Sequence, residues 1–320
     1  MDLATISWFP RNPVTAALTV AWAVLVALLL AWKLKLRKLR KVAGGVTRDE
    51  LRSAVLLGLI GLVIYPILPN HFIDPWQLVN PREAWVTVVV ISCLAFVNYV
   101  LLRLYGNRGL FWTAFLGGLV NNRAAIAELM SVVDEARLVG VVLFATLAMF
   151  VRNVFLLALF APRALHIALA PMAAMAIASL LLPTGKSSAG TGTELALTSP
   201  ISLRRVLNYG VLFLGIQVLG TLAERAFGTG GFLAASCVSG MASSASATAA
   251  AANLCANLKI APVLAGMATV IASMASLATN IPLICKRVKR VVLLRIALST
   301  AMQVAIGVAV LLGQRFLLRP

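Results

Sequence analysis

Apolar stretches of roughly twenty residues recur along the whole chain, and nothing else in the sequence constrains the fold as strongly. A helix rises about 1.5 Å per residue, so a stretch of about 20 residues matches the ~30 Å hydrocarbon core of a bilayer. Ten stretches qualify, near Val14–Leu36, Leu51–Leu68, Arg82–Leu104, Gly109–Met130, Leu138–Phe160, Ala164–Leu182, Ser202–Ala223, Gly231–Leu254, Ala261–Cys285 and Val291–Gly313. Strand-like alternation is absent, which argues against a membrane barrel. The expected fold is an all-α polytopic membrane protein of about 10 transmembrane segments.

Composition agrees. The 320 residues are 61% hydrophobic and only 12% charged, with a mean hydropathy of +0.96. Soluble domains rarely exceed about half apolar residues. A formal charge of +18 would suggest nucleic acid in a soluble protein. Here the basic residues sit at the ends of apolar runs, where they set topology and meet anionic headgroups. Eight of the 28 basic residues fall between Lys33 and Arg52. That segment and Lys286–Arg290 are therefore expected in the cytoplasm, with anionic lipid as the partner of Lys33–Arg52 and no nucleic acid. The first apolar stretch has no small-x-small cleavage site, so a retained helix is expected there rather than a signal peptide.

The chemistry-bearing inventory is thin. The four cysteines, Cys93, Cys237, Cys255 and Cys285, form no CxxC pair, and the two histidines, His71 and His166, lie far apart. No metal site or cofactor is expected. No Ser/His/Asp set, HExxH, Walker A or paired intramembrane aspartate is present, so no enzyme is expected.

Two glycine-rich segments stand out. Gly109–Met130 contains the break Gly117-Gly118 followed by Asn121-Asn122, and the segment from Gly231 contains Ser239-Gly240 followed by Ser243-Ser244. Gly109 and Gly231, Gly118 and Gly240, and Ala125 and Ala247 share one offset of 122 residues. Pro81 lies opposite Pro200, and Asn153 opposite Asn280 at a slightly longer offset. The expectation is two structural repeats, each with a glycine-interrupted helix. The chain then divides into 1–47, an N-terminal helix and basic linker; 48–182, a first repeat with a leading helix; 183–200, a Gly/Ser/Thr-rich flexible loop; and 201–320, a second repeat. If the glycine-rich segments re-enter, the halves are inverted; if they cross, the halves run parallel. Their length of about 22 residues favours crossing.

Glycine interruptions at matching positions point to a binding site in secondary transporters. The candidate substrate-binding residues are Gly117, Gly118, Asn121, Asn122, Arg123, Glu128, Arg152, Asn153, Gly240, Ser243, Ser244, Ser246 and Asn280. An ionisable residue at membrane depth is a functional hypothesis by default. Arg152 could hold an anionic substrate, pair with Glu128, snorkel, or lock helices together. The serine and alanine run after Gly240 suits a polar site and a close-packing face equally.

The stretches YPILPNHFIDPWQLVNPREAW (Tyr65–Trp85), FLGGLVNNRAA (Phe115–Ala125), AMFVRNVFLLAL (Ala148–Leu159) and SGMASSASATAAA (Ser239–Ala251) resemble a known domain. It is the multi-helix membrane domain of unknown function found C-terminal to MgtC/SapB domains in bacteria, and the resemblance runs from Arg48 onward. It implies a bacterial cytoplasmic (inner) membrane, and no MgtC-like part is expected in this chain. The family pattern often places Ser-Ser-Thr after the first glycine pair and an acid after the second. Asn121-Asn122-Arg123 and the acid-free Ser243–Ala252 depart from it, which argues against a simple cation pathway. The functional expectation is a transporter or permease for a small solute or ion. The surplus of Arg123 and Arg152 over acids tilts the class to anionic or zwitterionic. The alternative is a non-transporting membrane scaffold or regulatory subunit. Either form could act as a homo-oligomer.

Overall fold

The computed structural model describes residues 64–71, 73, 80–105, 109–131, 133–182, 203–285 and 288–317. The expected helix at Val14–Leu36, the basic segment Lys33–Arg52, most of Leu51–Leu68 and the loop 183–200 lie outside the described residues.

Among the described residues the chain is helical and has no strand. After a short turn at Tyr65–Ile67 the helices are α1 (Pro81–Tyr105), α2 (Leu110–Leu129), α3 (Glu135–Phe160), α4 (Leu165–Leu181), α5 (Leu203–Ala256), α6 (Pro262–Ala278), α7 (Asn280–Ile284) and α8 (Arg290–Leu317). Among the described residues five stretches are long and apolar enough to cross a membrane: Arg137–Phe160, Pro162–Leu181, Val211–Ala256, Pro262–Ile284 and Arg290–Gln314. They mark a membrane protein.

The chain forms two compact units. The first holds the described residues up to Val97 and the start of α5. Its ordering device is the start of α1. The Asn80 side-chain oxygen accepts the N–H groups of Arg82 (3.1 Å) and Glu83 (3.4 Å). This satisfies donors that a helix start leaves open, and Pro81, which has no N–H, fits the first helical position. The Asn80 amide donates to Asn70 Oδ1 at 3.3 Å. Arg82 donates from Nε to the Leu68 carbonyl at 3.0 Å, and its guanidinium lies 5.4 Å from the centre of the Tyr65 ring. The side chains of Asn80 and Arg82 thus tie Tyr65, Leu68 and Asn70 to the start of the helix.

The second unit holds the described residues from Asn98 to Leu182 and from Leu212 onward. At its centre is α3, which packs on α2, α4, α6 and α8. Val141, Ala145, Ala148, Met149 and Asn153 along it are all fully buried. Large apolar side chains point outward elsewhere, among them Leu180 and Leu181 on α4 and Leu298 and Leu312 on α8. Apolar residues turned outward suit a lipid solvent.

The separate helices expected at Ser202–Ala223 and Gly231–Leu254 meet within α5, which is broken at Gly228 (φ 63°, ψ −153°) and again at Ser243. A positive φ is open to glycine without penalty, so a single residue makes the corner between them. Arg82–Leu104 and Gly109–Met130, also expected as spans, are helical but are not among the five stretches.

Candidate functional site

Each glycine-rich segment is a broken helix. In α2 the break is at Asn121 (φ −157°, ψ 108°), and in α5 it is at Ser243 (φ −162°, ψ 108°). The two residues stand 122 positions apart, the offset of the glycines.

Both break residues act as N-caps. Asn121 Oδ1 accepts the N–H of Ala124 at 3.2 Å, and Ser243 Oγ accepts the N–H of Ser246 at 3.3 Å. An extended residue whose side chain bonds the N–H three positions on is the usual start of a helix. Ser243 Oγ also meets Ser246 Oγ at 3.0 Å. The second half of each helix thus begins at Asn122 or Ser244, and both residues are buried.

Capping has a consequence on the other side of the break. In an unbroken helix the N–H of Ala124 would serve the Val120 carbonyl, and that of Ser246 the Ala242 carbonyl. The caps take those donors, so the carbonyls need others. A carbonyl left without a donor away from water costs free energy, so each gains from a partner within the protein. Arginines supply them. Arg152 on α3 donates from one terminal nitrogen to the carbonyls of Val120 (3.2 Å) and Leu119 (3.4 Å). Arg123 on α2 donates to the Ala242 carbonyl on α5. A cation at the carbonyl end of a helix also meets the negative end of its dipole.

The glycines bring these parts together. A Cβ on Gly118 would lie 2.7 Å from Ala145 Cα, and one on Gly240 would lie 2.7 Å from the Ala272 carbonyl carbon. Real Cβ atoms do not approach that closely, so both positions admit only glycine while the backbones stay where they are. Each broken helix is thereby pressed against the backbone of the helix that follows it, α2 on α3 and α5 on α6.

Behind the breaks lies a buried polar seam. The Asn153 amide donates to Ser273 Oγ at 3.0 Å, joining α3 to α6, and Ser273 donates onward to the Thr269 carbonyl at 2.8 Å. Asn122 Nδ2 approaches Met149 Sδ at 3.8 Å, a weak contact. The side-chain oxygens of Asn122, Asn153, Thr248, Thr269 and Asn280 are buried without a hydrogen-bond partner.

Of the residues singled out from the sequence, Asn121, Arg123, Arg152 and Ser243 converge on the two breaks, with Gly118 and Gly240 setting the approach. Asn122, Ser244 and Ser246 open the second half-helices. Asn153 lies one helix deeper. Gly117 is buried inside the first half of α2. Glu128 is half-buried further along α2, and Arg152 bonds the backbone carbonyls of Leu119 and Val120. Asn280 opens α7 and is buried. Ser273, Thr269, Ala145 and Ala272 were not singled out. The signal for Ala272 was a second register: Ala145 to Ala272 spans 127 residues, as does Asn153 to Asn280.

The fold and site define a helical membrane protein with two matched broken helices meeting through arginine. The chain belongs to the family described as Domain of unknown function (DUF4010), whose family model matches residues 89–286. The match takes in both broken helices. No curated protein and no solved structure matches the chain.

Proposed function

We propose that the chain is a transporter or permease for a small anionic or zwitterionic solute, with its site at the two helix breaks. The observation that carries this reading is the pair of breaks at Asn121 and Ser243. Each presents a half-helix N-terminus, and the two are joined by the bond from Arg123 to the Ala242 carbonyl. Half-helix N-termini beside two guanidinium groups favour negative charge. Discontinuous helices in matching positions are the usual setting of solute sites in secondary transporters.

Two structural repeats belong to this reading, α1 to α4 answered by α5 to α8. Each broken segment is taken to cross the bilayer, giving ten crossings and parallel halves in a bacterial inner membrane. Lys33–Arg52 and Lys286–Arg290 then face the cytoplasm, the former against anionic lipid. The chemistry is carriage rather than catalysis.

The test is uptake by purified protein in liposomes. The probes are labelled chloride, inorganic phosphate, glutamate and glycine, measured for wild type, Arg152→Ala and Asn122→Ala. Uptake above that of empty liposomes, reduced in both variants, supports the reading. Equal uptake in all three removes the site from these residues. No uptake of any probe favours a scaffold or regulatory subunit.

A further inference from the structure

We infer that Arg152 and Arg123 are tethered cations, filling the carbonyl ends of the two broken helices where other transporters place a metal ion, so that the core needs no sodium. Freed carbonyls at a helix break form a ready cation site, and half-helix C-terminal ends coordinate Na⁺ in broken-helix transporters. Here the equivalent carbonyls, Val120 and Ala242, each receive a guanidinium from the chain itself.

The two guanidinium groups arrive by different routes. Val120 is served from α3, the helix that follows α2 in sequence. At the matching place in the second half the 127-residue register puts Thr279, a short neutral side chain, opposite Arg152. Ala242 is served instead by Arg123, reaching over from α2. Two unrelated sequence positions have converged on equivalent carbonyls, each with a positive charge. A need for a hydrogen-bond donor alone would be met by Asn, Gln or Ser. Both positions use arginine, whose charge persists at any accessible pH. A charge at membrane depth is expensive and is retained where it has a partner. The acid-free second segment, Ser243–Ala252, fits as well, since no carboxylate is there to attract a metal cation.

This inference stands on the carbonyl geometry and survives if the protein transports nothing. The test is thermal unfolding of the purified chain in nanodiscs, in sodium chloride and in choline chloride at equal concentration, with methylguanidinium chloride as the rescue probe. The wild-type midpoint is expected to be the same in both salts. Arg152→Ala and Arg123→Ala are expected to lose about 5 °C in choline chloride, and to regain at least half of it with methylguanidinium. Arg152→Lys is expected to unfold several degrees above Arg152→Gln, because both donate hydrogen bonds and only one carries charge. If the alanine variants do not fold, the Lys and Gln pair decides alone. A wild type stabilised by sodium over choline, alanine variants without rescue, or equal midpoints for Lys and Gln would each overturn the inference.

Discussion

Asn121 and Ser243 adopt the same extended backbone conformation inside two different helices, and each caps the helix that resumes after it. Conformation rather than side-chain identity is what matches. An amide in one and a hydroxyl in the other reach the N–H three residues on.

An exchange follows from this. Asn121→Ser and Ser243→Asn are expected to keep the stability of the wild type within about 0.5 kcal/mol, since Asn and Ser are near-equal caps. Asn121→Ala and Ser243→Ala are each expected to lose about 1 kcal/mol. Unfolding midpoints of the four variants in one lipid composition measure this, and equal losses for the exchanges and the alanines would refute the capping role.

The glycine contacts predict a different kind of failure. Gly118→Ala and Gly240→Ala force a methyl group into the backbone of Ala145 or Ala272, and overpacking of that kind costs about 1–3 kcal/mol. Adding Ala145→Gly to Gly118→Ala is expected to restore nothing, because the atoms in the way are the Cα and carbonyl of residue 145, which glycine keeps. Recovery of the midpoint in the double variant would place the conflict at the side chain instead.

The bond between Asn153 and Ser273 is open to a double-mutant cycle. With both residues fully buried, Asn153→Ala and Ser273→Ala are each expected to destabilise by about 1–3 kcal/mol. Their combined effect is expected to fall short of the sum by about 1 kcal/mol. Strict additivity would show that the hydrogen bond contributes nothing.

Thiol chemistry tests the disposition of the chain. Cys93 and Cys255 are buried and Cys285 is exposed beside the basic turn, so Cys285 is expected to react first with a maleimide in detergent. In intact cells a membrane-impermeant maleimide is expected to miss Cys285 and to label Ser131→Cys in a Cys285→Ser background. Protection of residue 131 from outside would make the broken helices re-entrant and the halves inverted.

Much of this was legible in the sequence, for physical reasons that differ from place to place. The helix at Leu138–Phe160 was recoverable to within three residues of the observed Glu135–Phe160, because apolar length alone defines a span. Asn80 and Pro81 were recoverable because caps use few residue types. The breaks were visible as polar pairs following glycine, although nothing local revealed that Asn121 and Ser243 would cap the half-helices. The partners of Arg152 were not legible. They are backbone carbonyls that any residue could have offered, so no side-chain pattern announces them. Ser273 was hidden for a similar reason, since a serine that returns its proton to the preceding turn looks like any other small residue in an apolar helix. The corner at Gly228 was not legible, because glycine signals a change of direction without saying how many residues the change needs.

The Asn153–Ser273 bond also bears on how the protein is made. Ser273 lies 120 residues after Asn153, so at ordinary rates of synthesis it leaves the ribosome on the order of ten seconds later. Until then the Asn153 amide lacks the acceptor that it has in the complete chain, so this link between α3 and α6 waits for the second half to be made.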